Sequence, residues 1–292
     1  VQPPSGRFIV QLFVVPGLLI AVVVLIVLGM SYLGRRDRAP EYFLEQLDSD
    51  NAEIRKRGMY DLAQILKRNE PAVLRWKIDA KFALDLAQRL DRAFNELLEE
   101  EKKIAAQIAE STDKDKDLRW RKLRGQRDYI SFLASALGEF HIPAGVPALC
   151  ALLKNDQSPD VKGNTLQRRK ALISLVNLGT NVKEFAKLPA EKQQHAVAVL
   201  HEEAVAGAGA RAAAARTALY YLDRAALPAD AGQDIVKADE TLAFCADADD
   251  PFLRELTAMA FNFWDGEQAR ATLLKLSMDD GHGTLLRVEE ND

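Results

Sequence analysis

The sequence repeats itself at long range. Four segments align on an arginine that opens an amphipathic run: RDYISFLASAL from Arg127, RRKALISLVNL from Arg168, RAAAARTALYY from Arg211 and RELTAMAFNFW from Arg254. The arginines stand 41, 43 and 43 residues apart, inside the ~40–47 residues of the longer paired-helix repeats. Seven positions on come Ala134, Leu175, Ala218 and Phe261, and ten on come Leu137, Leu178, Tyr221 and Trp264. Those offsets keep the side chains on one helical face. An earlier copy, RKRGMYDLAQI from Arg55, carries Leu62 and Ile65 at the matching offsets, 72 residues before Arg127. A single helix pair cannot bury such a face, so neighbouring pairs must stack. The pattern predicts an all-α chain with Leu62, Ile65, Leu137, Leu175, Leu178, Phe261 and Trp264 in the repeat core.

The helix preceding each copy is also legible. PEYFLEQLDSD ends at Asp50, PAGVPALCALLKND at Asp156 and ADETLAFCADADD at Asp250. Acidic, Asn and Ser residues at these breaks can cap the amides of the next helix. The stretch ALGEFHIPAGVPALCALLKND from Ala136 to Asp156, with DNAEIR from Asp50 and DPFLR from Asp250, resembles the HEAT-repeat family, in particular its phycobilisome-lyase-like subtype. The resemblance runs from Pro40 to Met278. It implies a HEAT/armadillo-like α-solenoid of about five helix pairs, and it is specific for architecture, because such arrays serve many functions.

Ahead of the repeats, residues 8–34 contain no charge and include GLLIAVVVLIVLGM. About 20 apolar helical residues cross a bilayer core, so this run is expected to span a membrane. A secretory signal would carry a shorter apolar region and a small-residue cleavage site. Arg35, Arg36 and Arg38 follow the span against Arg7 alone before it, which places the C-terminal part in the cytoplasm, with Tyr32 beside these arginines at the interface. The chain opens on Val1, and any charge upstream of it would enter this count. The expected layout is a tail at 1–7, a transmembrane helix at 8–34, a basic juxtamembrane linker at 35–39, a solenoid at 40–280 with a helical insertion at 85–125, and a tail at 281–292.

The insertion carries Leu86, Leu90, Phe94, Leu97, Ile104 and Ile108 in a stripe at helical spacing. Either a projecting hairpin offers this stripe to a partner helix, or the stripe packs on the repeats themselves. It is followed by DKDKDLRWRKLRGQR, where Arg119, Arg121, Lys122 and Arg124 surround Trp120. Cations interleaved with an indole suit anionic lipid headgroups or a partner, and also RNA phosphates with a stacked base. The third reading is a solvated loop whose charge is partly cancelled by Asp113, Asp115 and Asp117. The opposite end is acidic: residues 225–292 hold 15 Asp and Glu against 5 Lys and Arg. With a net charge of −4 overall, the chain has no global basic field, and nucleic acid is not an expected partner.

No pattern supplies chemistry. His195 and His201 are six apart and lie on different helical faces, while His141 and His282 sit near breaks without a neighbouring cysteine. Cys150 and Cys245 form no CxxC pair, so neither a disulfide framework nor a structural metal site is expected. Gly207-Ala-Gly209-Ala-Arg-Ala212 matches a dinucleotide fingerprint only formally, because a helix precedes it where a strand is required. No catalytic residue, cofactor or small-molecule substrate is expected. The sequence points to a membrane-anchored scaffold or accessory subunit, not an enzyme, that docks membrane-associated proteins along its repeats. Its alternatives are a structural subunit within a larger membrane complex and, through the family resemblance, a bilin-lyase or chaperone-like protein.

Overall fold

The computed structural model describes residues 17–18, 20–26, 39–68, 70–108, 113–156, 158, 161–229, 231–264, 266 and 268–278, with the backbone alone at 107–108, 113–122 and 233. Every regular element among them is a helix. The chain divides into two units, 1–42 and 43–292. In the first, residues 17–18 and 20–26 are helical, and Ile20, Val23, Leu25 and Ile26 are exposed. No helix among the described residues is long and apolar enough to cross a membrane. Most of the 8–34 run, with Tyr32, Arg35, Arg36 and Arg38, lies outside the described residues.

The helices are α1 (Pro40–Leu47), α2 (Ala52–Leu66), α3 (Pro71–Lys77), α4 (Ala80–Ile108), α5 (Asp113–Leu137), α6 (Val146–Lys154), α7 (Val161–Phe185), α8 (Ala190–Ala206), α9 (Gly209–Leu222), α10 (Ala238–Cys245), α11 (Pro251–Ala260) and α12 (Ala269–Ser277). Four of them form a row in the order α2, α5, α7, α11. A second layer places α4 against α5, α6 against α7 and α10 against α11. The core lies between the layers. Leu62, Leu137, Leu175, Leu178, Phe261 and Trp264 are all buried. Ile65 is only half-buried, and the adjacent Leu66 takes the inward position on α2.

The recurring arginine does a definite job. A helix leaves its last carbonyls unpaired, and Arg55 donates from Nη1 to Ser49 O at 2.9 Å, just after α1. Arg168 donates from Nε to Leu153 O of α6 at 2.9 Å, and Arg254 from Nη1 to Ala248 O after α10 at 2.8 Å. Each arginine thus ties its own helix to the end of the preceding one. The next amides are capped by side chains: Asn51 Oδ1 accepts from Glu53 N at 2.9 Å, and Asp250 Oδ1 from Phe252 N at 3.1 Å.

Close approach sets the row's register. A Cβ on Gly179 would stand 2.4 Å from the Phe263 Cβ, so only glycine lets α7 meet the end of α11 there. Trp264 Nε1 donates to Leu175 O at 2.8 Å, Lys183 Nζ to Asn262 O at 2.8 Å, and Arg169 grips Asp250 with two bonds of 2.7 Å. Asn181 Nδ2 reaches Gly138 O at 2.9 Å on the other side. One helix, α7, therefore joins α5 to α11.

Two expectations change, and one of two open readings is selected. The Arg211 copy does not enter the row: α11 stacks directly on α7, and α9 packs on α8, α4 and α6. Ala212, Ala214, Ala215 and Ala218 are all buried, so α9 is narrow enough to be covered on several sides. In this hairpin Arg216, not Arg211, donates to a preceding carbonyl, from Nε to Ala204 O at 3.1 Å. Arg211 instead bonds Glu203 at 2.7 Å and Asp85 at 2.5 Å, tying α9 to α4; these carboxylates raise its pKa above the ordinary arginine value, with Glu203 contributing most. Of the two readings of the insertion, the packed stripe is the one found. Leu86, Leu90, Phe94, Leu97 and Ile104 are buried, with α4 packed on α5, α8 and α9. The Ile108 side chain lies outside the described residues. Lastly, the basic stretch is not a loop, since residues 113–137 form one helix, α5. Arg124 is exposed on it, and the side chains of Arg119, Trp120, Arg121 and Lys122 lie outside the described residues.

Candidate functional site

Three chain segments meet at one edge of the second unit and enclose a pocket of about 400 Å³. The first is the turn after α2 with α3, which gives Arg68, Glu70, Pro71, Leu74 and Lys77; the second gives His141; the third, the end of α7 and its following turn, gives Glu184, Lys187 and Leu188. Pro71 suits its place because the first turn of a helix needs no amide donor, and it starts α3. The backbone fixes the other walls. His141 N donates to Lys77 O at 2.8 Å, pinning the 138–142 turn to the end of α3. Gln193 Nε2 donates to Ala186 O at 3.2 Å and Leu188 O at 2.7 Å, which holds the α7–α8 turn.

Polarity is graded with depth. Arg68, Glu70, Glu184 and Lys187 are exposed at the rim, Leu74 and Leu188 are half-buried, and Lys77 and His141 are buried. Lys77 is 7% exposed and His141 9%. The Lys77 ammonium faces Glu139 at 3.7 Å, an ion pair too long for a hydrogen bond. Its donors therefore have no acceptor among the described residues. His141 Nδ1 is buried with no hydrogen-bond partner among the described residues. Burial pushes the His141 pKa below its ordinary value, Lys77 adds to that fall, and Glu184 opposes it. The ring is thus neutral near pH 7. A buried polar atom without a partner costs free energy, and His141 Nδ1 is such an atom, while the Lys77 ammonium is ion-paired with Glu139.

A second polar group is structural. Arg127 of α5 is buried, donating from Nη1 to Gln167 Oε1 of α7 at 2.8 Å and pairing through Nη2 with Glu101 of α4. Ser158 Oγ donates to the same Glu101 oxygen at 3.1 Å. This network joins three helices.

Residues singled out by sequence fall elsewhere. His195 and His201 are exposed on α8, with His201 Nδ1 2.7 Å from Ala226 O. Gly207 ends α8, and Gly209, with φ of +71°, opens α9; the glycine motif is a helix–helix turn. Cys150 and Cys245 are free and buried, and burial pushes their thiols up to about 12 and about 11. No group of three or more His, Cys, Asp or Glu among the described residues could hold a metal ion. Of the pocket residues, only His141 carried any signal in sequence, as a histidine at a break. Lys77, Glu184 and Lys187 come from turns whose proximity no local spacing encodes. The chain matches no protein-family model and no curated protein.

Proposed function

We propose that this chain is a membrane-anchored interaction scaffold: a HEAT-type α-solenoid tethered through residues 8–34, with the repeats on the cytoplasmic side. The observation that carries it is the row α2, α5, α7, α11 backed by α4, α6 and α10. Stacking of like helices about one core is how paired-helix repeats build long binding surfaces, and the arginine ties recur at Arg55, Arg168 and Arg254. The uncharged run at 8–34 and the arginines after it support the tether and its orientation. Tethering raises the effective concentration of membrane-bound partners without adding a contact.

A permanent place in a larger membrane complex is the second reading. Phe252 and Met259 on α11, Leu274 on α12 and Met278 just after it are exposed at the last helices of the described chain, where a neighbouring subunit would bury them. Fractionation followed by mild-detergent purification separates the two. A scaffold sediments with membranes, moves to the soluble fraction when residues 8–34 are deleted, and purifies largely free. A fixed-stoichiometry complex favours the second reading, and a full-length chain found in the soluble fraction contradicts both.

A further inference from the structure

We propose that the outer face of α12 is a docking surface for the chain's own C-terminal segment, residues 284–292, which folds back on it as the second member of the last pair. This goes beyond the scaffold reading: it names the occupant of a surface at the end of the repeats and does not depend on the tether.

α12 is incompletely paired. It packs on α10 and α11 and so takes a second-layer place. The other second-layer helices, α4, α6 and α10, are each followed in the chain by the row helix they support, α5, α7 and α11. No helix among the described residues follows α12. Its outer face also has the composition of a covered one. Ala269, Thr272 and Leu276 are buried, whereas Ala271, Leu274 and Met278 recur at i, i+3 and i+7 on the opposite side and are exposed. Leu274 is 58% exposed and Met278 72%. The terminal unit of a repeat array needs a polar outer face, and this stripe is the reverse.

The sequence supplies a cover. After Met278 come Asp279, Asp280, Gly281, His282 and Gly283, an acidic break like those at Asp50, Asp156 and Asp250, with two glycines that permit a reversal. That length falls within the ~2–5 residues that connect antiparallel helices. Leu285, Leu286 and Val288 follow, among Thr284, Arg287, Glu289 and Glu290. Extended, the stretch from Met278 to Leu285 reaches about 23–25 Å, while Leu274 lies only about 6 Å back along the helix from Met278. The segment therefore reaches the stripe with length to spare. Its apolar residues meet Leu274 and Met278, and its polar ones provide the outer face that the array's end otherwise lacks. A second copy of the chain and a neighbouring subunit are the competing covers.

The test uses the full chain in detergent micelles with Ala271→Cys as a reporter on the stripe, the buried Cys150 and Cys245 staying in place. Labelling of the new thiol by N-ethylmaleimide is timed by mass spectrometry of its proteolytic peptide. Replacing Leu285, Leu286 and Val288 together by serine is expected to raise the labelling rate about tenfold, as loss of a local protecting contact does. Leu274→Ser should raise it as well with the tail intact. Neither change should alter the far-UV circular dichroism, and diluting the reporter chain should leave its rate unchanged. Equal rates with and without the tail serines overturn the proposal, whether the thiol is open or shielded by another subunit. A rate that rises on dilution also overturns it and assigns the face to a second copy.

Discussion

Trp264→Ala is expected to cost about 3–5 kcal/mol of folding stability, the range for deleting a large buried aromatic. Trp264 is 1% exposed and sits just past α11, in the turn that locks this helix to α7. Its ring meets Tyr221 edge-on at 4.8 Å between centroids, and its Nε1 donates to Leu175 O at 2.8 Å. Alanine removes both contacts and opens a cavity where the row, the second layer and α9 converge. Trp264→Phe keeps most of the volume and loses the hydrogen bond, so about 1–2 kcal/mol is expected. Urea denaturation followed by far-UV circular dichroism reads both. A cost under about 1 kcal/mol for the alanine variant would remove α11 from its place beside α7.

Glu101→Ala should be comparably damaging. It takes the carboxylate from a guanidinium buried between three helices, and breaking one side of a buried pair costs about 3–5 kcal/mol. Glu101 and Arg127 are both nearly inaccessible, and Ser158 loses its acceptor as well. The sharper outcome is the double variant Glu101→Leu with Arg127→Met, which removes the charges together and should recover most of the loss. Exposed pairs such as Glu184–Lys187 contribute little by comparison. A double variant as unstable as Glu101→Ala would mean that the ion pair itself, not the stranded charge, sets the energy.

The helical class and the main row were legible because both follow from periodicity. Arg55, Arg168 and Arg254 recur because each satisfies the end of a preceding helix, a purely local need. The same logic misplaced α9. Its arginine lies in register with the others, but its tie to the preceding helix comes from Arg216, and its alanines fit several packing partners equally. Arg127 was counted as one more repeat arginine, yet the insertion supplies Glu101 and turns it into a buried cross-link. A stripe of Leu and Phe on α4 specifies burial without specifying against what, so the choice between a projecting and a packed hairpin needed tertiary contacts. The edge pocket was illegible for a stronger reason: its floor pairs the end of α3 with a turn beyond α5 and the far end of α7, and no sequence spacing reports that closure.

In-cell amine crosslinking of the intact chain, compared with the chain lacking residues 8–34, tests the central claim most directly. An anchored scaffold predicts adducts with a small set of membrane proteins, largely lost on deletion while the remaining helices keep their far-UV circular dichroism. Adducts that persist unchanged without residues 8–34, or a full-length chain that crosslinks to no membrane protein, would contradict it.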